Sequence, residues 1–232
     1  MSKEEIKNYA LLEIEKILRS TVRSFRDFSS LPFPSTVDAL LAENRLIQDE
    51  LRYDRKALAK DHKVFVQKLT DEQRNIYETI MHYVETDKGG VFFVYDYGGT
   101  GKIFVWKNLS AGLRSKGEIV LNVASSSIAS FLLPSSRTTH LRFAIPLNPN
   151  EDSTCNIEQR SPLAELIAKL KLIIWDEAPM MNRYYFEALV KSMRDILRFT
   201  NPLSQDQPFR GKTVVFDGDF RQILPVIPKK SR

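Results

Sequence analysis

The stretch from Val91 to Phe104, VFFVYDYGGTGKIF, decides the fold. Five residues typical of a β-strand are followed by a glycine-rich turn, and Lys102 then opens a helical pattern. Strand, glycine-rich turn and helix in this order are the setting of a phosphate-binding P-loop, whose pattern is G-x-x-x-x-G-K-[ST]. The alternative is a tight turn between strand and helix that contains glycines but binds no phosphate. The ordered context favours the P-loop.

Two positions of this loop depart from the pattern. Alignment on Gly101 and Lys102 places Asp96 where the first glycine belongs and Ile103 where a Ser or Thr belongs. The missing hydroxyl is a direct Mg²⁺ ligand in P-loop proteins, and isoleucine has no lone pair to replace it. The carboxylate of Asp96 would repel a phosphate about 4 Å away by about 4 kcal/mol at an effective dielectric of about 20. We therefore expect weakened nucleotide binding and a poorly positioned metal ion.

The alternation of strand and helix continues along the chain. Buried strands are predicted at 118–124, 172–177 and 213–219, and helices are predicted at 71–84, from Lys102 to near Gly117, and at 184–198. Apolar strands separated by helices predict an α/β fold with a mostly parallel sheet and ligands at the carboxyl ends of the strands. Upstream, the spacing over 3–19 and the stretch from Ser35 to about Lys60 predict helical extensions, and 144–161 predicts a surface loop.

Polar side chains that could carry chemistry lie at or near the ends of three of these elements. LIIWDEAPM places Asp176 and Glu177 at the end of a hydrophobic strand, as in a Walker B motif that supplies a metal-binding Asp and a Glu for the attacking water. A solvated strand end is the alternative. Gln222 follows the next strand as either a γ-phosphate sensor or a polar turn cap. Gln73 either contacts adenine or completes a capping box with Thr70.

Composition bounds the class of protein. The 232 residues are 43% hydrophobic and 27% charged, which is typical of a globular chain, and no apolar run approaches the roughly 20 residues that span a bilayer. The N-terminus lacks the features of a secretory signal or transit peptide, so we expect an intracellular protein. Cys155 is the single cysteine, which excludes an intramolecular disulfide and a CxxC zinc site. The last twelve residues carry +4 of the net charge of +5, so charge alone says little about nucleic acid.

Five segments in order together resemble the PIF-type (petite integration frequency) DNA helicases, the superfamily 1 5′→3′ translocases, over residues 65–232. They are LTDEQRNIYETI, YGGTGK, LNVASSSIASFLLPSSRTTHLRF, LKLIIWDEAPM and FDGDFRQILPVIPK. Their sequences are most similar to the divergent helicases of this type that are associated with Helitron transposons. The resemblance implies an ATP-dependent DNA helicase with RecA-like domains that serves genome maintenance, recombination and repair. A nuclear location is the corresponding expectation. An unrelated P-loop kinase is disfavoured, because GDFRQILPV has no role there.

The resemblance also implies roles for individual residues, with ATP and Mg²⁺ as cofactors and single-stranded or forked DNA as partner. Serine capping of a helix is the alternative for Ser126. The implied roles are adenine recognition by Gln73; phosphate binding by Gly98, Gly99, Thr100, Gly101 and Lys102; Mg²⁺ binding by Asp176; water activation by Glu177; γ-phosphate sensing by Gln222; and contacts with the DNA backbone by Ser125, Ser126, Thr138 and His140.

The departures from the family pattern matter as much as the matches. The family would have Gly at 96, Thr at 103, Gly at 127 and 217, and Ser at 141, where this chain has Asp96, Ile103, Ser127, Asp217 and Leu141. We predict a helical extension over 1–64 and one RecA-like domain over 65–232, without the second RecA-like domain that completes the ATP site. We expect weak hydrolysis, little unwinding, and weak, sequence-independent DNA binding. The alternative is a non-catalytic remnant that binds nucleotide or single-stranded DNA.

Overall fold

The computed structural model describes residues 44–95, 101–159, 161–198 and 206–219, together with scattered residues before 44. The chain divides into two compact units, Met1–Arg45 and Leu46–Arg232. In the first unit the described residues between 3 and 14 are helical, as their spacing predicts. Most of the predicted extension between 15 and 43 lies outside the described residues. The second unit carries the predicted α/β domain.

Five strands form one sheet in which every pair is parallel. The order across the sheet is β1-β5-β4-β2-β3. The neighbouring pairs β1-β5 and β4-β2 are therefore not consecutive in the chain, and crossover connections join the parallel strands. The prediction of a mostly parallel α/β sheet is confirmed. The strands are β1 Gly90–Tyr95, β2 Ile119–Ala124, β3 Arg137–Thr138, β4 Leu170–Asp176 and β5 Thr213–Gly218.

The helices lie where the apolar spacing places them, with additional short ones. The predicted helices at 71–84, 102–117 and 184–198 are confirmed, whereas the helix that precedes β4 and the short β3 were not predicted. A 3₁₀ turn, Ala178–Met180, follows β4, and a second one, Pro208–Gly211, precedes β5. The α-helices are α1 Arg45–Leu51, α2 Arg55–Gln67, α3 Asp71–Glu85, α4 Lys102–Ser115, α5 Ser127–Ser130, α6 Thr139–Phe143, α7 Pro162–Lys169 and α8 Arg183–Leu197.

The prediction of one helical stretch from Ser35 to about Lys60 was wrong in its described part. The chain breaks between α1 and α2, because the Asp54 side chain accepts hydrogen bonds from the amides of Lys56 and Ala57 at 3.0 Å and caps a new helix. Helix α2 then continues to Gln67. Apart from Arg45, the residues of both helices belong to the second unit, although they precede the predicted domain start at residue 65.

The predicted surface loop over 144–161 is anchored more deeply than its polarity suggests. Ile145 and Cys155 are buried, and the Cys155 amide donates a hydrogen bond of 2.8 Å to Ser192 Oγ on α8. Residues 146–154 between them are exposed or half-buried, so the surface-loop prediction is confirmed there and was wrong only for the two anchoring residues. Two apolar residues among many polar ones are enough to hold the loop against the core.

The core consists of two apolar clusters that include alternate residues of the central strand β4. Ile173 and Trp175 belong to a cluster with side chains of α7 and α8, whereas Leu172 and Ile174 belong to a cluster with side chains of α3 and α4. Successive strand residues point to opposite faces, so helices cover both faces of the sheet. Among the residues that the structure describes, no helix is long and apolar enough to cross a membrane.

Candidate active site at the carboxyl edge of the sheet

The parallel strands bring the predicted site residues to one edge of the sheet. β4 ends at Asp176, β5 ends at Gly218, and α4 begins at Lys102 shortly after β1. Of the P-loop, Asp96 to Thr100 lie outside the described residues, as does Gln222. The roles predicted for Gly98, Gly99, Thr100 and Gln222 therefore stay predictions.

Gly101 is the turn residue that starts α4. It adopts φ of +83°, a left-handed conformation that glycine takes without steric cost, and a Cβ at this position would approach the Gln73 amide nitrogen to 2.8 Å. Gln73 therefore lies beside the end of the P-loop. It also completes the capping box, because its side-chain oxygen accepts from the Thr70 amide at 3.2 Å while its own amide donates to Thr70 Oγ1. The capping alternative is confirmed, and the adenine role stays a prediction.

Lys102 forms an ion pair with a residue that the sequence analysis did not assign to the site. Its ammonium nitrogen lies 3.0 Å from Oδ1 of Asp217 on β5. The other carboxylate oxygen accepts a hydrogen bond of 2.9 Å from the indole nitrogen of Trp106 on α4. Asp217 is 2% exposed and Trp106 is fully buried. The sequence already offered a reason to consider Asp217 as a site residue, because it is a carboxylate in a predicted strand end where the family pattern has glycine.

Asp176 lies in a carboxylate-rich environment. Its pKa is raised to about 7, first by burial and then by the negative charges of Asp217 and Glu177 and a hydrogen bond with the Asp217 side chain; a hydrogen bond from the Glu177 amide at 2.9 Å opposes this rise. Asp217 thus pairs with Lys102, and its charge raises the pKa of Asp176. The convergence of Lys102, Asp176 and Gln222 at the strand ends stays a prediction.

Glu177 turns sharply after the strand. Its backbone has φ of +53°, in the left-handed region that costs energy for a residue with a Cβ. Its carboxylate oxygen Oε2 accepts a hydrogen bond of 2.8 Å from Ser126 Oγ, and the same hydroxyl accepts from the Ala129 amide to cap α5. The capping alternative for Ser126 is therefore confirmed, and the hydroxyl also restrains the glutamate.

The other residues predicted to contact DNA lie near the ends of β2 and β3. Ser125 Oγ accepts a hydrogen bond of 3.1 Å from the Trp175 indole, and the Ser125 amide donates to the Asp176 carbonyl. Thr138 is paired in register with Ala124, the residue before Ser125. The structure thus brings Ser125, Ser126 and Thr138 to the same edge as Asp176.

His140 extends this edge on α6. Its ring packs edge to face on Tyr185 of α8 with ring centroids 5.0 Å apart, and burial lowers its pKa. The residue is therefore neutral over a wider pH range than an exposed histidine. A neutral ring donates one hydrogen bond but adds no positive charge for phosphate.

The residues present fit Mg²⁺ in part. Carboxylates are hard oxygen ligands, and Mg²⁺ is usually held by one or two of them together with substrate phosphates, which suits Asp176. Ile103 gives no oxygen, and its half-buried side chain packs against the apolar cluster on the α4 face. Within the described ranges no group of three or more His, Cys, Asp or Glu side chains is arranged to hold a metal. A metal ion here would depend on nucleotide phosphates for most of its ligands.

A parallel sheet covered by helices on both faces, a helix that opens on Gly101 and Lys102, and Asp176-Glu177 at a neighbouring strand end define a RecA-like domain of the P-loop NTPase class. The model of the PIF1-like helicase family matches residues 68–232. The chain belongs to the PIF1-like helicase family.

Individual relatives agree with this assignment. The ATP-dependent DNA helicase PIF4 of Trypanosoma brucei brucei is 26% identical over 140 residues, which are 59% of this chain and 16% of that protein. Pif1 helicase from Bacteroides, crystallised with ADP-AlF3 and single-stranded DNA, superposes with a TM-score of 0.55 at 26% identity, covering 69% of this chain and 34% of that one. A structure of two coordinating Pif1 helicases at forked double-stranded DNA gives a TM-score of 0.55 at 27% identity, covering 69% of this chain and 36% of that one. The chain thus spans about a third of the length of these solved relatives.

Proposed function

We propose that this chain forms the first RecA-like domain of an ATP-dependent DNA helicase and binds ATP and single-stranded DNA at the carboxyl edge of its sheet. The observation that carries the proposal is the 3.0 Å pairing of Lys102 with Asp217 near the end of β5, the strand next to β4, which ends at Asp176. The family and the relatives with bound nucleotide and DNA support it. We also propose that the protein serves DNA recombination and repair in the nucleus.

The residues act on nucleotide in distinct ways. Lys102 contacts the β- and γ-phosphates, the P-loop amides up to Gly101 surround them, and Gln73 contacts adenine from its place beside Gly101. Asp176 holds Mg²⁺, which offsets phosphate charge when bound. Glu177 orients the attacking water, and Gln222 senses the γ-phosphate.

Hydrolysis by these 232 residues alone is expected to be near background. Ile103 leaves the metal without its hydroxyl ligand, and the raised pKa of Asp176 leaves part of its population protonated near neutral pH in the absence of metal. Positioned metal acts mainly on the charge of the transition state, so turnover suffers more than binding. The described residues form one RecA-like domain, and an arginine finger from elsewhere is worth roughly 10³ to 10⁵ in rate in related phosphoryl transfer.

DNA contacts involve the segment from Ser125 to His140. Hydroxyls and amides at strand ends suit phosphate contacts, which position a strand without reading its sequence. Ser125 and Thr138 lie at adjacent strand ends, whereas Ser126 contributes only when its bond to Glu177 opens. We therefore propose weak, sequence-independent binding to single strands.

A second candidate function is non-catalytic binding of nucleotide or single-stranded DNA. It is favoured by the packing of Ile103 into the apolar cluster and by the pairing of Lys102 with an internal carboxylate. Both features oppose productive Mg²⁺-ATP chemistry. Hydrolysis measurements separate this candidate from the first.

The test compares the unchanged chain with the double variant Asp96→Gly/Ile103→Thr, which restores the P-loop pattern, and with Lys102→Ala as the control that removes the phosphate ligand. Nucleotide titrations with and without Mg²⁺ and phosphate release with single-stranded DNA are measured on all three. We expect measurable ATP binding by the unchanged chain, background hydrolysis, and a Mg²⁺-dependent gain in the repaired variant. Absence of ATP binding by both the unchanged and the repaired chain would refute the nucleotide site.

A further inference from the structure

Asp217 carries a buried negative charge between two donors of the same helix. Its carboxylate is 2% exposed, with Oδ1 3.0 Å from Lys102 Nζ and Oδ2 2.9 Å from Trp106 Nε1. Lys102 and Trp106 are four residues apart on α4, so they project from one face of that helix. An isolated buried carboxylate is costly, and these two contacts offset that cost.

The same ammonium is the P-loop cation. A P-loop lysine pairs with β- and γ-phosphate oxygens, and here it pairs with an aspartate. The family pattern has glycine at this position, which carries no competing charge. We propose that Asp217 is an internal competitor of the nucleotide phosphates for Lys102: it neutralises the lysine in the empty site and lowers the affinity for di- and triphosphates. This inference rests on the proposed function, since it assumes that Lys102 binds phosphate.

The geometry explains why Asp217 does not simply turn away when phosphate arrives. Its second oxygen is held by Trp106, which is fully buried and fixed by the surrounding core. Asp176 ends the adjacent strand β4 and adds a second carboxyl group at this edge of the sheet. The negative charge therefore stays next to the incoming phosphate after Lys102 has left it, and nucleotide loses both part of its cation and some energy to repulsion.

The experiment measures ADP and ATP binding by calorimetry without Mg²⁺ for the unchanged chain, Asp217→Asn and Asp217→Gly. Asp217→Asn keeps an oxygen for Trp106 and removes the charge, and Asp217→Gly restores the family residue. The matched control is Asp87→Asn, which removes one negative charge at the opposite edge of the sheet, where Asp87 is 71% exposed and pairs with Lys171. We expect both Asp217 variants to bind about tenfold to a hundredfold more tightly. The control should stay within about twofold of the unchanged chain.

Each alternative result has a definite meaning. Equal or weaker Mg²⁺-free binding by Asp217→Asn overturns the inference while leaving the nucleotide site intact. Weaker binding of Mg²⁺-ATP by this variant, beside unchanged Mg²⁺-free binding, would make Asp217 a metal ligand and overturn it as well. No binding by any variant refutes the proposed function together with the inference. Should the Asp217 variants fail to fold by circular dichroism, Trp106→Phe keeps the carboxylate but frees it to turn, and the inference then requires a smaller gain in affinity.

Discussion

Ser126 donates its hydroxyl hydrogen to Glu177 across 2.8 Å, and so joins the start of α5 to the residue after the Walker B strand. The hydroxyl has one hydrogen, and its oxygen already accepts from the Ala129 amide. A phosphate oxygen needs a donor, so Ser126 cannot donate to a DNA phosphate while it holds Glu177. The restraint of the glutamate and a DNA contact by this hydroxyl exclude each other.

Ser126→Ala should therefore lower stability more than it lowers DNA affinity. Loss of the cap and of a hydrogen bond to a carboxylate predicts a decrease of about 1–3 kcal/mol in the free energy of unfolding. We expect the affinity for an oligothymidine, measured by fluorescence anisotropy, to change by less than about twofold. Ser126→Thr keeps the hydroxyl and serves as the control. A large loss of DNA affinity at unchanged stability would show that the hydroxyl serves DNA first.

The raised pKa of Asp176 predicts that the stability of the metal-free protein depends on pH. Burial, with the charges of Asp217 and Glu177, raises its pKa from 3.8 to about 7 in the folded state. The folded state then binds the proton more tightly than the unfolded state, so this group lowers stability as pH rises from about 4 to 7, and the full cost applies above pH 7.

Asp176→Asn should remove that cost. We expect the free energy of unfolding, from urea titrations without Mg²⁺, to rise by about 4 kcal/mol at pH 8 and by less at pH 5. Asp87→Asn, at an exposed site, should show no such difference between the two pH values. An equal gain for Asp176→Asn at both pH values would contradict the raised pKa.

A buried ionic cluster fixes α1 to the segment after α5. Glu50 is 6% exposed; its carboxylate lies 2.9 Å from an Arg142 nitrogen and 3.7 Å from an Arg114 nitrogen. The two guanidinium groups also donate to the carbonyls of Ser135 and Val120. Burial lowers the pKa of both arginines, and the charge of the Glu50 carboxylate opposes this decrease.

Glu50→Ala should leave both arginines buried without their counter-charge. Breaking such a pair from one side costs about 3–5 kcal/mol, and we expect this loss in urea unfolding. The matched control is Glu85→Ala, which breaks the exposed pair with Lys116 and should cost less than about 1 kcal/mol. Similar losses in the two variants would show that water reaches the Glu50 cluster.

Much of the fold follows from the sequence because apolar spacing is a local signal. β4 and β5 are mostly apolar runs, and their parallel pairing brings the ends of the two strands, with Asp176 and Asp217, to the same edge of the sheet. The break at Asp54 was hidden because the residues on both sides of it are good helix formers. The pairing of Lys102 with Asp217 spans 115 residues, and spacing alone does not show which of several strand-end carboxylates meets a given lysine.

The number of basic residues near the C-terminus gives a numerical prediction for the salt dependence of DNA binding. Arg221, Lys229, Lys230 and Arg232 supply +4 of the net charge of +5 and have no acidic residue among them, so we expect the tail to contribute phosphate contacts. Binding to single strands releases counterions, and the logarithm of affinity falls with the logarithm of salt concentration with a slope of about −0.7 per phosphate neutralised. Changing Lys229, Lys230 and Arg232 together to Ala should therefore reduce the slope by about 2.

Anisotropy titrations of oligothymidine and oligoadenosine between low and moderate salt test this prediction. We expect weak binding, similar affinities for the two strands, and a steep salt dependence that becomes shallower in the tail variant, because phosphate contacts carry no base information. The control variant Lys56→Ala/Lys60→Ala/Lys63→Ala removes the same number of charges from α2 and should keep the slope of the unchanged chain. Tight binding that persists at high salt, or a clear base preference, would place most of the affinity in stacking and base contacts instead of in these charges.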